Sequence, residues 1–398
     1  MLSEEDFLSE SNFFDRIKLR TSYGITGNTE IDPYSTLATI SSGTALINGQ
    51  RVNDSFVSRI PNPDVSWETT TQFDVGLEVA TSSNPRISLE MDYYYKLTED
   101  LLLDRPIPRS TGFSTIRDNI GSISNKGLEL AVGSVYSTEK FYWESKLNLN
   151  FNENRIEELG ANNEDIFPGP GFVSGSNTIL RVGEPVASFW GLQRLGIWGT
   201  DEIEEAAAVG AIPGEAKRSA EQQIIGNGLP KWTGSFINNF RFGNFDFSVD
   251  LQFVYDVDIL QQATHSTEDR TGIANGLRTI LTQGWTPNNQ DTQVQQIRNQ
   301  ATSGQNSQVD SHWVADGSYL RGNLFTLGYT LPTDFVNSLG IKTLRVYGSL
   351  DNAFVIQSDS FQGYDPEGSS NDNQFGQNIF FFQYPRPRTY TLGFNFKF

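Results

Sequence analysis

Two histidines, His265 and His312, are the only imidazoles in the 398-residue chain, and cysteine is absent. The pair stand far apart with no local ligand spacing, so the sequence predicts no metal centre, and disulfides drop out of the argument. No nucleophile motif, phosphate-cradling glycine loop or paired-acid constellation stands out. The expectation is a chain that is not an enzyme and carries no cofactor. What remains are side chains suited to contact rather than reaction. Trp190, Trp198, Trp285 and Trp313, with Tyr364, Phe380, Phe381 and Phe382, fall in or near long polar stretches. Such rings stack on sugar rings or peptide side chains at binding sites; packing loops together or sitting in an interfacial girdle is their more ordinary role. Trp190, Trp198, Trp285 and Tyr364 are the ligand-contact candidates. Asp74, Glu78, Glu90, Asp92, Glu129, Glu144, Asp246 and Asp250 fall on the polar faces of alternating segments. They would line a polar conduit or, more simply, coat a hydrated wall.

Those side chains need elements to position them, and the elements are strands. Segments 16–24, 71–80, 85–97, 141–152 and 245–256 alternate apolar and polar residues, as in Phe245, Phe247, Val249, Leu251, Phe253 and Tyr255. Side chains of a strand project to opposite faces in turn, so this pattern means one apolar and one polar face. Most segments run to about ten residues or more, the length of a tilted membrane-crossing strand, whereas ordinary strands average about five or six. Their polar faces carry full charges, which suits a wet lumen better than a dry core. The last segment, 389–398, sets Tyr390, Leu392, Phe394, Phe396 and the terminal Phe398 on one face. It reads as a lipid-facing strand that also serves as a barrel-assembly signal, against the plainer alternative of a closing strand in a soluble sheet.

Composition agrees. The chain holds 36 glycines, 28 phenylalanines and 14 tyrosines but 2 methionines, a profile of strands and polar loops. Its net charge of −19 argues against a nucleic-acid partner. Mean hydropathy is −0.40, and there is no run of about 18 apolar residues that would make a membrane helix. Membrane barrels evade that test, because only alternate residues of each strand meet lipid. The start, Met1-Leu-Ser-Glu-Glu-Asp-Phe, is acidic and has no secretory-signal pattern, so the expectation is the downstream part of a longer chain.

Connections alternate in length. Short joins at 82–84, 137–140, 243–244 and 333–340 separate long stretches at 25–70, 101–125, 259–317 and 353–386. Short periplasmic turns and long extracellular loops are the outer-membrane pattern. If the last strand descends, strand parity requires that 153–231 hold no membrane strand or an even number. Segment 185–198 reads as one strand; either a second lies near 203–225 or the region belongs to a loop. Ten wall strands are expected, with two more open.

Several segments, in order, resemble the C-terminal part of the SusC/RagA family of TonB-dependent outer-membrane transporters from Bacteroidetes. They are Ile17-Lys-Leu-Arg-Thr-Ser-Tyr-Gly-Ile-Thr-Gly-Asn28, Asn62-Pro-Asp-Val-Ser-Trp-Glu, Asp92-Tyr-Tyr-Tyr-Lys-Leu-Thr-Glu-Asp, Asn119-Ile-Gly-Ser-Ile-Ser-Asn-Lys-Gly-Leu-Glu129, Gly317-Ser-Tyr-Leu-Arg321, Leu327-Gly-Tyr-Thr-Leu-Pro332, Gly363-Tyr-Asp-Pro-Glu367 and Tyr384-Pro-Arg-Pro-Arg-Thr-Tyr-Thr-Leu-Gly393. The resemblance spans nearly the whole chain. One departure is Pro213-Gly-Glu-Ala-Lys-Arg-Ser, where the family often carries an Asp/Gly-rich stretch. The aspartates of that stretch are missing here.

The resemblance implies an all-β fold in which residues 1–398 form about the C-terminal half of a barrel of about 22 strands, with plug and first strands elsewhere. It implies an integral outer-membrane location with extracellular long loops, and a SusD-like surface lipoprotein, TonB, the barrel-assembly machinery and outer-membrane lipid as partners. The implied role is TonB-dependent uptake of oligosaccharides or peptides. A siderophore or vitamin receptor, a secreted β-rich binding domain and a split barrel half stand as the alternatives.

Overall fold

In the computed structural model the described residues are 1–6, 13–28, 34, 36–168, 177–268, 275–297, 309–338, 340–368 and 375–398. Ten long strands form one antiparallel sheet in chain order. They are β1 (Phe14–Asn28), β2 (Glu68–Thr81), β3 (Arg86–Glu99), β4 (Ser122–Ser137), β5 (Phe141–Glu158), β6 (Trp232–Phe242), β7 (Phe245–Tyr255), β8 (Tyr319–Thr330), β9 (Thr343–Gln357) and β10 (Thr389–Lys397). Among the described residues β1 and β10 are not paired with each other, so the sheet is an open arc with two free edges.

The register fixes the two faces. Arg20, Gly76, Asp92, Glu129, Asn150 and Thr233 stand level across β1 to β6, and Asp246, Gly328, Tyr347 and Gly393 stand level across β7 to β10. All are on the polar face. The opposite face aligns Tyr23, Phe73, Tyr95 and, one row on, Leu128, Phe151, Trp232 and Tyr255. Leu19, Tyr23, Phe73, Tyr93, Phe236, Phe247, Leu327, Tyr390, Leu392, Phe394 and Phe396 are all exposed there. An apolar face of this extent requires an apolar medium. No helix among the described residues is long and apolar enough to cross a membrane, which says nothing of a strand-built barrel.

The ten expected wall strands are present; segments 16–24, 71–80 and 141–152 lengthen to Phe14–Asn28, Glu68–Thr81 and Phe141–Glu158, while 245–256 and 389–398 end one residue earlier. Connections alternate as the sequence predicts: 82–85, 138–140, 243–244 and 331–342 are short, while 29–67, 100–121, 159–231, 256–318 and 358–388 are long. The open question at 153–231 resolves both ways at once. A second strand exists, but Ser188–Ile197 pairs with Ala216–Asn227 on one side and Thr178–Ile179 on the other in a separate three-stranded sheet. Among the described residues the wall gains no strand from this region, and parity holds.

The hydrophobic core sits outside the wall. Buried apolar residues gather in the long loops, around Phe189, Leu260, Val309, Trp313 and Ile379 in one cluster and Leu159, Leu180 and Val186 in another that also takes in Ile156 near the end of β5. The wall is held instead by its backbone ladder and by side-chain pairs across strands.

Candidate functional site

The polar face of the wall is lined by charged and amide side chains that pair across strands. Arg20 meets Glu90 at 2.9 Å, Asp92 at 2.7 Å and Glu78 at 3.2 Å, tying β1 to β2 and β3. Arg345 Nε donates to Asp246 Oδ1 at 2.8 Å, tying β9 to β7 across β8. Between these groups lies a shallow hollow of about 550 Å³ whose lining includes Glu90, Asp92, Glu129, Lys146, Asn150 and Gln252. Five of the eight sequence-identified acids (Glu78, Glu90, Asp92, Glu129 and Asp246) either pair with Arg or line this hollow. The surface is polar, mixed in charge and rich in amides.

Three long loops merge into a body with its own core at one end of the wall. The strand Ser188–Ile197 carries Arg194, and Ala216–Asn227 carries Arg218; both reach Asp310, which belongs to the next loop. Arg194 Nη2 lies 2.7 Å and Arg218 Nε 2.5 Å from Asp310 Oδ2, with all three side chains almost wholly buried. Asp310 also accepts the backbone N–H of His312 at 3.0 Å and caps the short helix Ser311–Trp313. Burial pushes the Asp310 carboxyl up, but the two guanidinium groups outweigh it and hold the group below the usual carboxylate range. Arg194 also lies over the Trp313 ring at 5.7 Å.

A second latch joins the last loop to the wall. Arg321, on β8 and fully buried, donates from Nη2 to Asp365 Oδ1 at 2.5 Å and from Nη1 to Asn352 Oδ1 at 2.6 Å. Its Nε lies 3.2 Å from Glu367, which also receives Arg386 Nη1 at 2.7 Å. Asn352 adopts the left-handed region at φ 52° where β9 slips register against β8. This bulge aims its side chain at Arg321. Its Nδ2 in turn donates to the Arg386 carbonyl at 2.9 Å. Three motifs distant in sequence, Gly317–Arg321, Gly363–Glu367 and Tyr384–Gly393, thus become one charge cluster. The first long loops are fixed by amides: Asn62 Nδ2 donates to the Arg117 carbonyl at 2.9 Å, and Asn119 Nδ2 to those of Ser66 at 2.9 Å and Asp100 at 2.7 Å.

The four ligand-contact candidates do not converge. Trp198 and Trp285 are buried, the first packed with Ala206 and Ala211 under the Lys217 ammonium, the second with Ile197 and Ala216. Their ring faces are used in packing. Trp190 is half-buried, donates to Gln222 Oε1 at 3.1 Å and stacks under Arg181 at 4.8 Å. Tyr364 stands 80% exposed on the latched loop, the most accessible of the four. The two histidines, remote in sequence, flank the same ring, His265 at 5.1 Å and His312 at 4.6 Å from the Trp313 centroid. His312 Nε2 lies 2.8 Å from Glu268 Oε1. Among the described residues no group of three or more His, Asp or Glu is arranged to hold a metal. In the final strand Tyr390, Leu392, Phe394, Phe396 and Phe398 are exposed together on the apolar side of the free edge strand. Sequence reasoning missed Arg194, Arg218, Asp310 and the partners of Arg321.

Comparison with known proteins agrees with this geometry. The family described as TonB dependent receptor-like, beta-barrel, matches residues 11–268. TonB-dependent receptor P3 of Formosa agariphila is 34% identical over the whole chain, which spans 41% of that protein. TonB-dependent receptor SusC of Bacteroides thetaiotaomicron is 27% identical, the chain covering 39% of its length. Among solved structures, the RagAB peptide transporter superposes with a TM-score of 0.79 at 25% identity, over 98% of this chain and 42% of that one. The chain therefore spans about two fifths of the length of the relatives it matches, all of them named as receptors or transporters. It belongs to the TonB-dependent receptor β-barrel family, and within that family it is a barrel portion of the SusC/RagA type.

Proposed function

We propose that this chain is the C-terminal wall and outer loop body of an outer-membrane importer that takes up oligosaccharides or peptides. The observation that carries the reading is the two-faced ten-stranded arc, apolar outside and hydrated inside, joined to a match with the RagAB transporter over 98% of the chain. In this reading the plug and remaining strands belong to the rest of the same polypeptide, TonB acts on the plug, and the long loops face outward. A SusD-like lipoprotein caps the opening. The loop body, held by Asp310 and Arg321, presents Tyr364 and the free part of Trp190 to incoming ligand. Trp198 and Trp285 support the body from inside. Tyr390, Leu392, Phe394, Phe396 and Phe398 act as the barrel-assembly signal, and lipid covers the apolar face.

The test is uptake by cells whose sole source of a nutrient is a defined oligosaccharide or peptide mixture, with and without the gene and with TonB removed. Loss of growth in both deletions, and purification of the protein with a surface lipoprotein, supports the reading. Growth that depends on the gene for iron chelates or a vitamin, with no lipoprotein attached, would replace it by a siderophore- or vitamin-type receptor. Recovery in the soluble fraction without a heat-modifiable gel shift would replace it by a secreted binding domain.

A further inference from the structure

On the polar face, three long side chains each cross a glycine on the adjacent strand and end on a partner one strand further. Arg20 of β1 passes over Gly76 of β2 to Asp92 of β3, 2.7 Å away. Tyr94 of β3 passes over Gly127 of β4, and its hydroxyl donates to Asn152 Oδ1 of β5 at 2.9 Å. Arg345 of β9 passes over Gly328 of β8 to Asp246 of β7 at 2.8 Å. A Cβ at any of these glycines would collide with the crossing atoms, so the glycine is the clearance that permits the span.

A fourth crossing begins in the same way and lacks its end. Tyr347 of β9 stands level with Gly393 of β10 on the polar face. Its Cζ and Oη occupy the space that a Gly393 Cβ would take, the same two atoms that Tyr94 lays over Gly127. Asn152 is level with Gly127 on the far side and closes the Tyr94 span. Beyond Gly393 lies the free edge of β10, and the ring itself lies under the Arg345 guanidinium at 4.8 Å. Tyr347 is half-buried, and its hydroxyl, directed past a glycine toward an open edge, is placed to meet an acceptor on whatever strand pairs there.

We propose that Tyr347 is a seam residue: its hydroxyl crosses Gly393 and donates to a side-chain amide or carboxylate oxygen on the strand that pairs with the free edge of β10. The acceptor stands level with Gly393 on the polar face, as Asn152 stands level with Gly127. This rests on the reading that other strands of the same polypeptide complete the barrel. It adds a rule for the residue type and register at the closing seam.

The experiment uses full-length protein in its own outer membrane. A photo-crosslinking benzoylphenylalanine replaces Tyr347 in one variant and Leu392, on the apolar face of β10, in another. Cross-linked peptides are mapped by mass spectrometry. The expected result is that both reach one strand upstream of this chain, with the Tyr347 product centred on a position bearing Asn, Asp, Gln or Glu. Tyr347→Phe then lowers the temperature at which the folded gel band is lost, as Tyr94→Phe does. If Leu392 reaches an upstream strand while Tyr347 links only to the plug or to strands described here, the seam role is wrong and the barrel reading stands. A product at a residue without an acceptor group, or a Tyr347→Phe protein that melts with the parent while Tyr94→Phe does not, also overturns it. If neither position reaches an upstream strand, the barrel reading itself fails and the seam proposal falls with it.

Discussion

Asp310 concentrates in one carboxylate what holds the outer loops together. It is buried, receives two arginines from two strands and caps a helical turn. Removing one partner of such a cluster leaves buried charge without compensation, a cost of about 3–5 kcal/mol. Asp310→Ala is expected to loosen the loop body, read as quickened proteolysis of the loops and altered Trp313 fluorescence, while the wall keeps its heat-modifiable migration. Its pH dependence follows from the lowered carboxyl. The folded state binds fewer protons than the unfolded one, so the stabilisation is full above the ordinary carboxylate value and is lost as pH falls through the lowered one. Asp258, in the loop strand Asp258–Gln261, has the opposite sign. Burial pushes its carboxyl up, with Asp256 and Asp316 adding to the shift against the Asn227 N–H it accepts at 2.8 Å. The folded state there binds more protons, so stability falls as pH rises from the ordinary value through the raised one. Asp258→Asn should abolish that slope and raise loop-body stability at neutral pH in a proteolysis titration.

At the scale of elements, the two faces of a strand make a direct comparison. Leu251 and Gln252 are neighbours near the middle of β7, the first level with Phe236 on the apolar face and the second with Ser235 on the polar face. Leu251→Arg is expected to cost about 2–4 kcal/mol of barrel stability, whereas Gln252→Arg costs little, both measured by refolding into lipid. On β10, deleting Phe398 should lower the fraction of protein reaching the folded, heat-modifiable form without changing synthesis. How much of this was legible beforehand differs between wall and loops. Period-two alternation is a local property, so Phe245 to Tyr255 announce their strand and both its faces. The loop strands Ser188–Ile197, mostly buried, and Ala216–Asn227, mostly half-buried or exposed, show no clean alternation, and their pairing outside the wall depends on residues far along the chain. The Arg194–Asp310 pair spans 116 positions and the Arg321–Asp365 pair 44, and no local pattern announces either. Arg321 and Asp365 lie in segments quoted for family resemblance, but resemblance names residues without saying which of them touch.

For the whole molecule, the division of labour is physical. A wall without an apolar core relies on its ladder and on lipid, while the body above it has a conventional core and buried ion clusters. The central claim is that this arc lies in the outer membrane with its long loops outside. The absence of cysteine in these 398 residues makes that directly measurable. In the full-length protein, single cysteines are placed at Tyr364 in the last long loop and at Ser83 in a short turn, then challenged in intact cells with a membrane-impermeant maleimide. The account predicts labelling at 364 in intact cells and at 83 only after the outer membrane is permeabilised. Labelling at 83 but not at 364 in intact cells, or equal labelling of both, would contradict it.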